Sequence, residues 1–425
     1  MKVTRAAVVA GALAFTLLLM ATYAETSGTI YGPAFRFKEV PLGFTLLGIA
    51  MAVLPSLWMP IEVKRPSQVC YWFLYLMAIL PAMWMPYQVL RVSPDQIWPF
   101  TATLLLAFGL ASLPYGWREL TMSRVKVEPV FYYGAMVAVA LGLVGLIVAL
   151  TGLKFDLSLA NVYDRRAEAR SSAPKQSLAS YASGFLGNSI GPMMFATSIV
   201  NQSLMLFGTS LLALITVFSL TGLKSVFFTP FLMLAVLWLV RKKRDTFGLV
   251  LIWGAVGLAA LAYFERKVFG SMLLTLAFVH RLEFTPGMLS SFYWDFFSHN
   301  PHVYLADSIL SPFMHSPYDR NVGPLMGKVL YASDSMNATT GIWAQGYAHF
   351  GYLGMIYVSA FLAGLFSLFD ATTRDRNFVV GSMVMALLGV FWANVALHTS
   401  LISNGVVLSL LLLYLMPIAK REPDR

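Results

Sequence analysis

The chain has 425 residues, 58% of them hydrophobic and only 12% charged, against roughly 25% charged in an ordinary soluble domain. So little charge does not cover a water-facing surface, which excludes a soluble globular protein and leaves lipid to solvate much of the exterior. The net charge of +10 does not point to nucleic acid, because the longest basic block, Arg241-Lys242-Lys243-Arg244, directly follows an apolar run and reads as a cytoplasmic anchor. The lone Cys70 excludes an intrachain disulfide and any cysteine-rich metal site.

A membrane-crossing helix needs about 20 mostly apolar residues. In chain order, twelve runs meet that demand: 6–24, 40–59, 68–90, 96–113, 130–150, 178–200, 204–220, 225–240, 246–264, 346–369, 377–396 and 400–418, none holding Lys, Arg, Asp or Glu. The expected fold is therefore all-α, a polytopic transmembrane helical bundle of about twelve spans. The first run reads as a retained span, since its 15-residue apolar stretch 6–20 is at the long end for a cleaved signal. Pro55, Pro81, Pro86, Pro192 and Pro230 fall inside runs, where neighbouring helices must satisfy the carbonyls they free. Gly187 and Gly191 form a GxxxG pair suited to close helix approach.

Short loops set the orientation. Lys2, Arg5, Lys64, Arg65, Arg118, Arg124, Lys126, the 241–244 block, Arg374, Arg376, Lys420, Arg421 and Arg425 fall on one side of a twelve-span chain, which the positive-inside rule assigns to the cytoplasm together with both termini. Residues 272–279 are apolar but bracketed by charge, and eight helical residues reach only about 12 Å, so 265–281 reads as an interfacial or re-entrant helix. The chain is then one membrane domain, 1–425, with external loops at 151–177 and 265–345.

Of the 30 basic residues, 16 fall inside and 14 outside, and all six histidines (His280, His299, His302, His315, His349 and His398) lie in external segments or the outer half of a span. Anchoring alone does not explain that bias, so chemistry is expected at the external face. In Asn161 to Arg170, Arg166 and Arg170 are one helical turn apart and would offer two guanidinium groups to phosphate oxygens. An interfacial helix with Asp164 and Glu168 paired to these arginines explains the same residues equally well. Lys224 either snorkels to headgroups or joins the same anion site. From His280 to His302, aromatic rings alternate with Arg281, Glu283, Asp295, His299 and His302. This suits a sugar site, though aromatic residues are common at any membrane interface. Tyr331 to Met355 carries Asp334, Asn337, Thr339, Thr340, Gln345 and His349 into an apolar helix, with glycines at 341, 346, 351 and 354 implying close backbone approach. No P-loop, HExxH, GxSxG or Asp-x-Asp occurs, and no carboxylate lies in any run, so coupling through a buried acid is not expected.

Three stretches carry a resemblance to a known family: Val162-Tyr-Asp-Arg-Arg166, Gly222-Leu-Lys-Ser225, and Met336 to Met355, with Arg281, Pro286-Gly287 and Tyr293 adding to it. Here the chain resembles the Wzy-type oligosaccharide repeat-unit polymerases, the O-antigen polymerases of bacterial envelopes. The similarity of hydropathy extends over nearly the whole chain, and the family's Arg-x10-Gly loop motif is not cleanly present. The resemblance implies a C-type glycosyltransferase-like helical fold in the inner membrane. It implies metal-independent transfer of a growing glycan from undecaprenyl diphosphate onto another lipid-linked repeat at the periplasmic face, with no cofactor. An O-antigen ligase and a lipid-linked oligosaccharide flippase are the alternatives. Arg166 and Arg281 become candidates for holding the leaving diphosphate, and Glu283 and His349 candidates for acid–base work. Asp164, Arg165, Arg170, Lys224, Tyr293, Asp295, His299, His302, Asn337 and Trp343 become candidate substrate contacts. The implied partners are the lipid-linked oligosaccharide, membrane lipids and a chain-length regulator, with no nucleic acid.

Overall fold

The computed structural model describes residues 2–123, 125–152, 177–308, 310–374 and 377–417, and these are helical without any strand. In order the helices are α1 Lys2–Ile30, α2 Leu42–Val53, α3 Pro66–Val89, α4 Pro94–Ala111, α5 Pro129–Thr151, α6 177–201, α7 Leu204–Thr221, α8 Lys224–Lys242, α9 Phe247–Phe269 and α10 275–299. They continue with α11 Val322–Tyr331, α12 342–349, α13 352–373, α14 Phe378–Trp392, α15 Leu397–Ser403 and α16 Val406–Leu415. Among the described residues, seven helical stretches are long and apolar enough to cross a membrane, eight if bent α15 and α16 form one span. The remaining expected runs lie on α2, α4, α6 and α14, which are shorter or less apolar.

α3 is the axis. Its apolar window is 94% buried, whereas that of α5 is only 17% buried and that of α9 28%. An apolar helix left that bare suits contact with lipid rather than water. Four helices press a glycine against α3: Gly48 at Trp84, Gly248 at Trp72, Gly287 at Pro81 and Met85, and Gly389 at Cys70 and Phe73. Small residues let helices meet by close van der Waals packing where lipid leaves no hydrophobic drive for association. The Gly187/Gly191 pair likewise receives Val217 and Leu214 of α7.

Three stretches are π-helical, Tyr75–Ile79, Leu186–Ile190 and Thr275–Phe284, and each ends two residues before a proline (Pro81, Pro192, Pro286). Proline has no N–H and its ring pushes on the carbonyl one turn back. A widened turn relieves that clash without breaking the helix.

Contacts sort the turns into two ends. At one, Arg5 donates to the carbonyls of Ser56 and Met59, and Arg65 to those of Pro114 and Trp117. Arg65 and Arg374 both reach Glu119, at 3.1 and 3.6 Å, and Arg244 donates to Val63 and covers the Phe378 ring. Several of these arginines satisfy carbonyls left open at helix C-termini. At the other end Lys38 donates to the Leu90 carbonyl (2.7 Å), Lys267 pairs with Glu25, and Tyr31 stacks on His280.

The stretch Ile342–Thr373, expected to hold one span over 346–369, doubles back. Phe350 and Gly351 leave helical geometry, Gly351 with φ +59°. Trp343 Nε1 donates to Ser359 Oγ at 2.8 Å, though sixteen positions of straight helix would separate them by about 24 Å. Hence α12 is a buried half-helix packed back along α13. A Cβ on Gly346 would lie 2.7 Å from the Gly354 carbonyl oxygen, and one on Gly354 would overlap the Gly346 carbonyl. Gly354→Val should therefore cost about 1–3 kcal/mol or more, the range of an overpacked core, and lower the melting temperature in detergent. Gly364→Ala on the same helix meets nothing within 4 Å and should be neutral to slightly stabilising. Equal effects of the two changes would show that the hairpin does not pack this way.

Candidate functional site

α10 organises the candidate residues. The sequence places 275–299 across a short interfacial or re-entrant helix and an external loop; in the structure it is one helix set against Pro81 and Met85 of α3. The reason is visible in its spacing: Phe284, Met288, Leu289, Tyr293, Trp294 and Phe297 recur on one face and are buried. Glu265 tethers its start by accepting from Leu273 N, Leu274 N and Ser271 Oγ.

On the first part of α10, Arg281 is exposed and Glu283 buried. Two positions apart on a helix is roughly half a turn, so the pair faces opposite ways. Glu283 makes no ion pair among the described residues, and its Oε2 is buried without a hydrogen-bond partner. Burial alone pushes its carboxyl well above the usual range, since an isolated carboxylate is costly to desolvate. A buried acid thus lies outside the apolar runs, on a stretch read as external loop, and it is Glu283, one of the acid–base candidates of the sequence.

Around Arg281 stand residues from three distant parts of the chain. Tyr31 stacks on His280 with ring centres 5.1 Å apart, and Phe35 stacks on Tyr331 at 5.3 Å and meets Phe292 edge-on at 5.1 Å. Phe35 also lies 6.1 Å from Tyr31, so the two stacks adjoin. Burial, with the Arg281 charge adding, lowers the His280 imidazole to about 4, which leaves it neutral near pH 7. Tyr31, Phe35 and Tyr331 were not singled out from the sequence, and His280 only as one of the six externally placed histidines. The aromatic–basic interleaving of Tyr31, Phe35, Arg36, Phe37 and Lys38 was the available signal.

The far end of α10 holds a second cluster. His349 is buried, and its Nδ1 accepts from Leu305 N at 3.0 Å, so the neutral ring carries its hydrogen on Nε2. It lies against His398, with ring centres 4.6 Å apart. His302 sits among Phe297, Tyr304 and Tyr347, its Nδ1 buried and unpartnered. Loop residues Val303 and Tyr304 donate to the carbonyls of Ala348 and His349, capping α12. Sixteen helical positions separate Arg281 from Phe297, on the order of 20 Å. His349 and Arg281 therefore do not share one reacting centre, and the expected pairing of the two is not what the structure brings together.

The other candidates scatter. Tyr293 and Trp343 are buried and committed internally, Tyr293 Oη donating to Ala338 O and accepting from Gln345, Trp343 donating to Ser359. They join helices and turn no face outward to a sugar. Asp295 is half-buried, and exposed His299 donates from Nδ1 to the Asp295 carbonyl. Asn337 is exposed beside Gly323, and half-buried Lys224 opens α8. Asp164, Arg165, Arg166 and Arg170 lie outside the described residues. Among the described residues no group of three His, Cys, Asp or Glu is placed to hold a metal ion.

No family model matches the chain, and neither curated proteins nor solved structures return a match.

The buried acid has a pH signature. Its folded pKa is raised, so the stability associated with neutral Glu283 is complete below the unfolded carboxyl value, roughly 4.3, and is lost as pH rises toward the folded value. Glu283→Gln should therefore gain melting temperature over wild type, by more at about pH 8 than at about pH 5. A difference that does not change with pH would show that Glu283 is ionised in the fold.

Proposed function

We propose that this chain is a glycan polymerase of the O-antigen type, using a polyprenyl-diphosphate-linked donor in the bacterial inner membrane. In this reading the bundle crosses twelve times with both termini cytoplasmic, and α10 enters from the outer face without crossing. The arginine-rich end faces the cytoplasm, and Arg281 faces the periplasm. The observation that carries the reading is Arg281, an exposed guanidinium walled by adjoining aromatic stacks at the end opposite the arginine belt. A lipid-linked sugar diphosphate presents the matching chemistry there, a dense anion next to a sugar ring, at the height of the headgroups.

In the reaction a hydroxyl of the acceptor sugar bonds to the anomeric carbon of the donor. The bond from that carbon to the diphosphate oxygen breaks, and its electron pair leaves with the diphosphate. Charge gathers on the departing group as the bond lengthens, and a guanidinium fixed beside it lowers the barrier. The proton of the attacking hydroxyl passes to a base, for which the neutral imidazole of His280, adjacent to Arg281, is the group at this site.

Arg281→Ala should slow transfer by about 10²–10³, and lysine should restore little, because a point charge does not reproduce the two-pronged contact. In a lipopolysaccharide-making host the ladder of long chains should collapse to core bearing one repeat. Bare core with long polymer held on the lipid carrier would indicate a ligase, and single units accumulating on the cytoplasmic side a flippase. A normal ladder at normal protein level removes Arg281 from the reaction.

Orientation is tested separately in a Cys70→Ser background. Cysteine at exposed Ser316 should react with an impermeant reagent in spheroplasts, and cysteine at exposed Thr121 should not. Labelling of Thr121→Cys in sealed cells would reverse the assignment.

A further inference from the structure

Tyr31 and Tyr331 approach Arg281 from opposite ends of the sequence, and their hydroxyls are not absorbed by the packing that places the rings. Tyr31 is fixed by its stack on His280 and by Phe35, and Phe35 in turn stacks on Tyr331, so a single apolar ring holds both phenols. The Tyr31 hydroxyl is buried and makes no hydrogen bond. The neighbouring Thr285 hydroxyl donates to the His280 carbonyl at 2.8 Å and acts on the Tyr31 phenol as a polar neighbour, without reaching hydrogen-bond distance. The nearby Tyr23 phenol, by contrast, is committed to the Phe35 carbonyl. Both phenols feel the Arg281 charge, which acts against the upward push of burial on each. They therefore stay protonated donors near neutral pH. A buried hydroxyl without a partner costs free energy, and a ligand oxygen arriving at Arg281 would satisfy it.

We propose that Tyr31 and Tyr331 are anion-positioning residues, donating their phenolic hydrogens to the same diphosphate that Arg281 holds. Among the described residues, the site is thus built from Arg281 and two phenols. It rests on the polymerase reading only for the identity of the full substrate; the ligand chemistry it commits to is a prenyl diphosphate. Each Tyr→Phe change keeps the ring, its stack and the fold, and removes one donor alone.

The test is binding of farnesyl diphosphate to the purified full-length protein in detergent, with farnesol as the probe that lacks the anion. Wild type should bind the diphosphate well above farnesol. Tyr31→Phe and Tyr331→Phe should each weaken the diphosphate by roughly tenfold or more, the usual scale for a hydrogen bond to a charged group, and leave farnesol unchanged. Arg281→Ala should weaken the diphosphate further. Phe variants that bind like wild type while Arg281→Ala does not would overturn the phenols' role. Wild type with no preference for the diphosphate would overturn the site. The polymerase reading fails on different evidence: diphosphate binding that depends on both phenols, beside a normal ladder in the Arg281→Ala host, would sink that reading and leave this one standing.

Discussion

Backbone polar groups have almost no water to turn to inside an apolar bundle, and α3 is where that constraint is most severe. Pro66–Val89 is buried nearly throughout its length, yet it carries Pro81 and Pro86, each of which removes one hydrogen bond from the ladder. The π-helical stretch Tyr75–Ile79 absorbs the first of these. Around it, buried side-chain donors reach backbone oxygens: Trp72 to Pro60, Tyr71 to Phe108 and Tyr75 to Ala52. Each such bond satisfies one carbonyl and fixes one neighbouring segment against the axis, at about 1 kcal/mol net apiece and a larger penalty if broken. Asp370 serves the same constraint at the helix start, accepting from Ser67 N at 2.9 Å and from its hydroxyl at 2.6 Å.

With the axis fixed, the glycine contacts decide what lies beside it. Gly287 lets α10 settle on Pro81 and Met85, and that contact turns the face of Phe284, Met288 and Tyr293 inward. Arg281 lies on the π-helical stretch just before that face and is exposed. The π-helical turn before Pro286 sets the angular position of Arg281 relative to the buried face that follows. Relaxing it to a plain α-helix would rotate Arg281 relative to Tyr31 and Tyr331. A packing accommodation around proline would thereby aim the side chain proposed to meet the anion.

Much of the bundle was legible in the sequence because apolar runs are a composition signal, and all twelve runs lie mainly on helix. The reversal at Phe350–Gly351 was not. Glycines 346, 351 and 354 announced close approach, but only the Trp343–Ser359 bond shows that the approach is of the chain to itself. α10 failed for another reason: its aromatic residues were weighed as sugar-binding chemistry before their helical spacing was weighed as a buried face. Of the site, Arg281 was visible as a charged residue in an aromatic stretch. Its neighbours Tyr31 and Tyr331 lie hundreds of residues apart, and nothing in either local sequence announces the other. His349 and Arg281 were both nominated by residue type and resemblance, neither of which measures distance, and they sit at opposite ends of α10.

In the proposed site the phenols would also ease an electrostatic difficulty in holding a diphosphate. A second guanidinium packed about 4 Å from Arg281 would be repelled by some 4 kcal/mol at the dielectric of a protein surface, before any ligand arrived. Phenols supply donors without that repulsion, and their rings add stacking of about 0.5–1.5 kcal/mol per pair. Burial raises both Tyr31 and Tyr331, so neither loses its hydrogen in the physiological range. Arg5, Arg65, Arg244 and Arg374 at the opposite end face no such conflict, since they cap backbone carbonyls or meet Glu119. The same residue type thus serves in two settings: Arg5, Arg65 and Arg244 close helix ends, while exposed Arg281 stands beside Tyr31 and Tyr331.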